Sequence, residues 1–424
     1  MITQFPQNLD CIIIGAGAAG LSAARRLQQK GFTCVVVEAS GRTGGRLWTE
    51  SNSFSVPVDH GASWMSGADK NSLVPIAQRA GLTLVDDTES PDALFVGDRP
   101  ATKKEEKALD RAFRKIEKAL TKSGKKKTTR AASEVIPNDL PFAAEAQSWL
   151  GPMDHGVDFQ DFSPIDYWEQ AEDQPSFLVS EGYGSIVPSL AADISVSLDT
   201  KVTKVDWSGS GVVVETSRGN INARTCLVTV SAGVLRKGGI QFSPELPVEN
   251  QEGIAGVDMG LLVKVPLLFD GARLGLEDGT WVTYALPQTT PTRACFFVAW
   301  PCGHDYLFGN IGGSLGWELS KAGPEAAINF ALGELSSIFG SDARKHFVKG
   351  LMTNWANDPL FHGAYSVQKP GHTNARKKLG RAVGDRIFFA GEAVGGARSA
   401  LANGAYDSGR KAAKKIMKVL KTPR

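Results

Sequence analysis

A chain of 424 residues with 42% hydrophobic content can bury a large core and has room for two or three domains. Its net charge of +2, six histidines without ligand spacing and five cysteines without a C-x-x-C pair give no case for a metal centre or a disulfide scaffold. No run reaches about 18 uninterrupted apolar residues, which argues against a transmembrane helix, and residues 1–10 lack the basic-then-apolar pattern of a leader.

The five thiols, Cys11, Cys34, Cys226, Cys295 and Cys302, are scattered, which fits a reducing, cytoplasmic setting. Charge is unevenly spread. Residues 101–130 hold twelve Lys/Arg against four Asp/Glu, and residues 410–424 hold seven against none. These tracts read as solvated helix faces and a tail rather than as nucleic-acid or membrane surfaces, and no aromatic interleaves the densest cluster, Lys122 to Lys127.

In chain order, residues 11–14 form a short β-branched run that reads as a buried parallel strand. Gly15, Gly17 and Gly20 follow at the G-x-G-x-x-G spacing, with Ala18 and Ala19 opening a helix. The first glycine permits a tight turn, the second lets backbone approach a pyrophosphate, and the third lets helix pack on strand. The helix N-terminus offers free N–H groups and a positive dipole end. Residues 32–37 read as the second strand, and Glu38 ends it where a carboxylate accepts from ribose hydroxyls. Strand, turn, helix, strand and acid together specify a dinucleotide site. Ala39-Ser-Gly-Arg-Thr-Gly-Gly-Arg46 then reads as a second wall: Gly44 and Gly45 allow close approach, while Arg42 and Arg46 donate to phosphate oxygens.

Residues 58–65 predict a short hairpin-like region and 71–81 a helix. The stretch 86–174 changes character: a charged amphipathic helix over 105–122, a loop at 125–127, a short helix over 142–150, and punctuation by Pro137, Pro141 and Pro152. It predicts a helical insertion. Residues 181–191 return to a glycine turn and a helix, 196–207, 211–216 and 220–223 read as antiparallel strands, and 226–230 as another buried parallel strand. From 256 to 349 the pattern mixes strands (261–269, 280–285, 294–300) with a helix over 324–339. Last come the strand 386–391 with Glu392 and a long helix over 403–420.

Read at both ends, the chain resembles the flavin-containing amine oxidase family: monoamine and polyamine oxidases, flavin histone demethylases and their relatives. The N-terminal pieces that carry the resemblance are the Gly15–Gly20 turn, Glu38, the Arg42–Arg46 loop and Gly61-Ala-Ser-Trp64. The C-terminal pieces are Asn354-Trp-Ala-Asn-Asp-Pro, His362-Gly-Ala-Tyr-Ser366 and Phe389-Ala-Gly-Glu-Ala393. Between them, Val228-Thr-Val-Ser-Ala-Gly-Val-Leu235 is similar to the family's strand and turn beside the adenine.

The resemblance implies FAD, held noncovalently, because Ala364 stands where monoamine oxidases carry the cysteine that bonds the cofactor. It implies cofactor contacts from Gly15, Gly17, Ala18, Ala19, Gly20, Glu38, Ala39, Arg42, Gly44, Gly45, Arg46, Gly61, Ala62, Ser63, Trp64, Trp355, Gly391, Glu392, Ala400 and Leu401, with Val202 offering backbone to adenine. A helix dipole after Gly404 aimed at the pyrimidine edge would stabilise charge on a reduced flavin. Lys264, a charge inside the apolar strand 259–269, matches the lysine that holds a water against flavin N5, and burial there would lower its pKa. Tyr365 matches one wall of the aromatic cage that orients a neutral amine. Leu401 stands where the second cage aromatic would be, leaving Trp355, Trp300 or Phe361 to supply that wall.

The fold expected is α/β, with a Rossmann-like FAD domain (1–85, 176–255 and 350–424) carrying a parallel sheet and a small antiparallel meander. An α+β substrate domain with a mixed sheet and helices fills 86–175 and 256–349. The activity expected is oxidation of an amine C–N bond by hydride transfer to flavin, giving an imine for hydrolysis, with O2 reduced to H2O2, in a monomer or homodimer with neither nucleic acid nor membrane as partner. The alternatives are a non-oxygen acceptor, an L-amino-acid oxidase, for which the stretch after Trp64 supplies no arginine and Arg398 is the remaining candidate, and a non-catalytic flavin-stabilised binding protein, against which Lys264 and Tyr365 argue.

Overall fold

The structure, a computed structural model, describes residues 8–137, 139–170 and 174–421. Residues 1–7, on which most of the leader reading rests, and 422–424, the end of the basic tail, lie outside the described residues.

The opening strand (Leu9–Ile14) is buried at five of its six residues. It sits between two parallel partners, Cys34–Val37 on one side and Gly219–Val228 on the other. That arrangement places the first glycine turn at the carboxyl ends of adjacent parallel strands, where open α/β sheets bind ligands. The order across the sheet is Val196–Ser197, Cys34–Val37, Leu9–Ile14, Gly219–Val228, Val212–Thr216, Val202–Asp206 and Gln241–Ser243. Gly219–Val228 does two jobs. Its first half pairs antiparallel with Val212–Thr216, and its last residues pair parallel with Ile387–Phe389 as well as with the opening strand.

The sequence reading splits this strand in two, at 220–223 and 226–230; it is one element. Its exposed, polar first half forms the meander, and its buried apolar second half enters the parallel layer. The segment 196–207 likewise divides: Val196–Ser197 pairs parallel with Cys34–Val37, while Val202–Asp206 joins the meander. On one face of the sheet, the glycine-turn helix (Ala18–Gln28) packs against the C-terminal helix (Ala402–Lys421). Ser22 Oγ donates to Tyr406 O at 2.7 Å across that contact.

A second, mixed sheet carries the other large core. Its order is Phe347–Gly350, Leu262–Phe269, Tyr306–Gly312, Phe296–Ala299, Trp281–Tyr284, Asp92–Val96 and Arg99–Pro100. All neighbours are antiparallel except Trp281–Tyr284 and Asp92–Val96. The stretch 86–174 is therefore more than a helical insertion, since it contributes two strands before its long helix. That helix spans Lys103–Lys125, extending the expected 105–122 at both ends. A capping box closes its start: Thr102 Oγ1 accepts from Glu105 N, and the Glu105 carboxylate accepts from Thr102 N at 2.7 Å. Its nine Lys/Arg and the three just beyond, Lys126, Lys127 and Arg130, are all solvent-exposed. The short helix near 142–150 is Ala143–Ser148, followed by a wide π-type turn at Trp149–Met153. The helix expected over 324–339 is found at Pro324–Phe339.

Candidate active site

A cavity of about 450 Å³ opens where the glycine turn, the Arg42–Arg46 loop, the 355–365 segment and the start of the C-terminal helix converge on strand Leu262–Phe269. Most residues singled out from sequence line it: Gly15, Gly17, Ala18, Ala19, Glu38, Ala39, Gly44, Gly45, Arg46, Gly61, Ala62, Ser63, Trp64, Val202, Lys264, Trp355, Tyr365, Gly391, Glu392, Ala400 and Leu401.

Gly20 and Arg42 stand outside the lining. Gly20 faces the turn itself, where an added Cβ would meet Gly15 O at 1.9 Å. Arg42 lays its guanidinium over the Trp48 ring, 4.6 Å from the centroid, and burial lowers its pKa. Of the candidates for the second aromatic wall, Trp355 and Phe361 line the cavity. Trp300 does not: it is fully buried in the second core, edge-on to Phe269 at 5.5 Å. Arg398 is also absent from the lining and pairs with Asp407 at 3.4 Å.

The phosphate end is built from backbone. Gly17 is the N-cap of Ala18–Gln28 and has no side-chain cap, so the first N–H groups of that helix point into the cavity unsatisfied by the chain's own side chains. A Cβ built on Gly17 would meet no atom within 4 Å. This uncapped, open helix start beside a glycine-rich loop fits a diphosphate. The loop is fixed alongside by Gly44 N donating to Ala16 O at 2.9 Å. Glu38 is buried at the end of its strand and accepts from Ala16 N at 2.7 Å and from Ser40 N at 2.9 Å. These groups fit FAD, and no cysteine lines the cavity among the described residues.

Across the cavity, Arg46 Nη1 donates to Glu392 Oε1 at 2.8 Å and to Ala364 O at 2.9 Å. The second oxygen of Glu392 accepts from Ser366 Oγ at 2.5 Å. Behind it, Arg376 donates to Ser366 Oγ at 2.6 Å and makes a two-pronged pair with Asp166 at 2.7 and 2.9 Å. Burial alone would raise the Glu392 carboxyl, but Arg46, Ser366 and Arg376 outweigh it and hold the pKa below the ordinary carboxylate value. Asp166 and Arg376 were invisible to motif reading, because each is one polar residue in a short helix outside the motifs, and the two lie 210 positions apart. Ser366 and Thr229 sit inside the motifs that carried the resemblance, and Thr229 Oγ1 ties the neighbouring strand to Ile14 O at 2.7 Å.

Lys264 is 6% exposed. Its Nζ donates to Gly61 O at 2.6 Å and Ser63 Oγ at 2.5 Å, and lies 5.5 Å from the Trp64 ring centroid. Burial pushes its pKa down to about 8, with Asp59 pulling the other way. Two hydrogen bonds from three donors leave one N–H uncommitted. Leu262, two residues earlier on the same strand and so on the same face, also lines the cavity; strand alternation around Lys264 was the signal for it. Tyr365 opens the strand paired with Val257–Gly260, and its hydroxyl donates to Met153 O at 3.1 Å. Trp355 is fixed by Nε1 donating to His60 O at 2.7 Å and meets Phe361 edge-on at 5.0 Å. His60, missed from sequence, stacks on Trp48 at 4.2 Å, and burial lowers its pKa.

A family model described as flavin containing amine oxidoreductase matches residues 18–153 and 160–417. The chain is similar to a probable polyamine oxidase 4 of Arabidopsis thaliana, 31% identical over 94% of this chain and 85% of that one. It is also similar to polyamine oxidase 4 of Oryza sativa subsp. japonica, 29% identical over 96% and 88%. Among solved structures it is similar in fold to wild-type putrescine oxidase bound to putrescine, with a TM-score of 0.80 at 20% identity over 97% of this chain and 99% of that one. A cyclohexylamine oxidase from Brevibacterium oxydans IH-35A gives a TM-score of 0.78 at 20% identity, over 98% and 100%.

Proposed function

Because the chain belongs to the flavin-containing amine oxidoreductase family, we propose that it oxidises the C–N bond of an amine to an imine, with FAD held noncovalently and O2 as the acceptor that is reduced to H2O2. FAD, when bound, supplies the two-electron acceptor that takes hydride from the amine's α-carbon. The chain's own residues bind, orient and exclude water. The open N-terminus at Gly17 and the Gly44–Gly45 loop would receive the diphosphate, and Glu38 the ribose. The Arg46–Glu392 pair fixes the far wall without leaving an uncompensated charge beside the cofactor.

The observation that carries the reading is the buried Lys264 amine, aimed at the cavity floor by Gly61 and Ser63 with one N–H to spare. A lysine of lowered pKa can hold a water by that N–H and, once neutral, accept a proton from that water on the lone pair left in its place. Tyr365, Trp355 and Leu401 supply walls that keep an amine dry and oriented, which is worth more to this reaction than acid–base catalysis. Lys264 and Tyr365 are thus the residues proposed to act on the substrate. An L-amino-acid substrate is disfavoured because Arg46, the one arginine lining the cavity among the described residues, is already committed to Glu392.

The test is anaerobic mixing of the purified holoenzyme with a panel of amines, followed by aeration. Bleaching of the flavin spectrum and then one peroxide per turnover are the expected results. No bleaching by any amine or amino acid would sink the enzymatic reading, and bleaching without peroxide would transfer the oxidative half-reaction to another acceptor. No helix among the described residues is long and apolar enough to cross a membrane.

A further inference from the structure

The charges around the cavity are already spoken for. Two carboxylates line it among the described residues, Glu38 and Glu392. Glu38 is occupied by the Ala16 and Ser40 N–H groups and the Ser40 hydroxyl. Glu392 is neutralised by Arg46 and backed by Ser366 and Arg376. Against these two stand four cations in the lining: Arg46, Lys201, Lys237 and Lys264. At the Lys264 end the lining also includes Trp64, Leu262, Trp355, Tyr365 and Leu401, with His60, whose pKa burial lowers, as the titratable group beside them. A second ammonium entering there would give up its hydration shell, meet aromatic and aliphatic carbon, and face the Lys264 cation. The lost hydration and the repulsion from Lys264 are unfavourable without a free carboxylate to pair with, and attraction to the aromatic faces returns only part of that cost. An apolar ring or chain gains from the same walls.

We infer that the amine oxidised here carries a single basic nitrogen on an apolar body, and that diamines and polyamines are poor substrates, in contrast to what the names of the similar polyamine and putrescine oxidases suggest. This rests on the amine-oxidation reading and narrows it. The discrimination comes from the Lys264 end of the cavity. A neutral amine of one nitrogen needs only orientation against Tyr365 and Trp355, whereas a second nitrogen more than a few bonds away is protonated at neutral pH and finds no anion.

The experiment compares the holoenzyme's anaerobic flavin reduction by cyclohexylamine, benzylamine and hexylamine with that by 1,4-diaminobutane, 1,6-diaminohexane, spermidine and spermine. The expected result is a limiting reduction rate over Kd at least tenfold higher for the best monoamine than for any di- or polyamine. Equal or better reduction by a diamine or polyamine overturns the inference while leaving amine oxidation intact; no reduction by any of the seven overturns both. A readout independent of turnover is calorimetric binding of hexyltrimethylammonium against its bis-trimethylammonium counterpart of equal chain length. The singly charged ion is expected to bind at least tenfold more tightly, and tighter binding of the doubly charged ion overturns the inference. Leu401→Glu, which adds an anion to the lining, is expected to raise diamine efficiency relative to monoamine by about tenfold. No change in that ratio, with flavin content retained, counts against the Lys264 end as the discriminating wall.

Discussion

Arg46 Nη1 lies 2.8 Å from Glu392 Oε1, joining two residues 346 positions apart across the mouth of one cavity. The side chains are 22% and 7% exposed, so the pair is well shielded from solvent. Removing the charge by Glu392→Gln leaves Arg46 without its counter-ion and is expected to cost about 3 kcal/mol of stability. The pair also predicts an acid limb. The folded carboxyl is held below its ordinary value of 4.5, so its contribution is fully present above that pH and is lost as pH falls through the depressed folded value. Denaturant unfolding at pH 7 and pH 4 checks this: the gap between wild type and Glu392→Gln should shrink at the lower pH. Flavin retained through gel filtration should fall in the variant.

Lys264 shifts stability in the same direction with pH, but as a penalty rather than a stabilising contribution. Burial takes its amine from 10.5 in the unfolded chain to about 8 in the fold. Between those values the unfolded chain holds a proton that the folded chain has released, so the residue's contribution to stability rises with pH across that window. At neutral pH the penalty is on the order of 3 kcal/mol. Lys264→Met removes both the penalty and the hydrogen bonds to Ser63 and Gly61. The expected outcome is stability at pH 7 no lower than wild type, a flatter stability profile between pH 8 and 10.5, and a loss of at least tenfold in flavin reduction or reoxidation. Both rates remaining at wild-type level would remove Lys264 from the chemistry.

How far the sequence carries depends on whether the cause is local. The glycine turn, Glu38 and the helix Pro324–Phe339 are specified by residues near one another, and they stand where the reading put them. Tyr306–Gly312 went unread because Gly309, Asn310 and Gly312 disfavour a strand. The reason for the glycines is tertiary: a Cβ on Gly309 would lie 2.3 Å from Cys295 Sγ, and one on Gly312 would lie 1.7 Å from Pro152 O. Asp92–Val96 was absorbed into a helical insertion because its parallel partner, Trp281–Tyr284, lies almost two hundred residues on. At the site, motifs named the lining; they did not reveal that Glu392 is backed by Asp166 and Arg376, since no spacing encodes a pair formed between separate elements.

That backing pair makes its own prediction. Arg376 and Asp166 are 8% and 3% exposed and joined by two hydrogen bonds. Arg376→Leu strands a buried carboxylate and is expected to cost about 3–5 kcal/mol. Asp166→Leu combined with Arg376→Leu should recover much of that loss, because two apolar groups replace two charges, and a double-mutant cycle measures the coupling. Flavin retention should not recover in step with stability, since Ser366 would still lack the donor that orients its hydroxyl toward Glu392. Full recovery of both would reduce Arg376 to a packing role.

Gly17 and Gly20 separate binding from folding within one turn. Both are in extended or helical backbone that tolerates alanine, so the outcome depends on space alone. A methyl at Gly20 would stand 1.9 Å from Gly15 O, forcing helix and strand apart. Gly20→Ala is therefore expected to destabilise the protein by about 2 kcal/mol or more, as overpacking does. A methyl at Gly17 meets nothing in the chain and enters the space before the helix N-terminus. Gly17→Ala should leave the unfolding free energy of the flavin-free protein within about 0.5 kcal/mol of wild type and weaken FAD binding at least tenfold. Thermal unfolding of the stripped proteins, with FAD titrated back by fluorescence quenching, distinguishes the two. If Gly17→Ala rebinds FAD with wild-type affinity, the phosphates do not sit at this helix start.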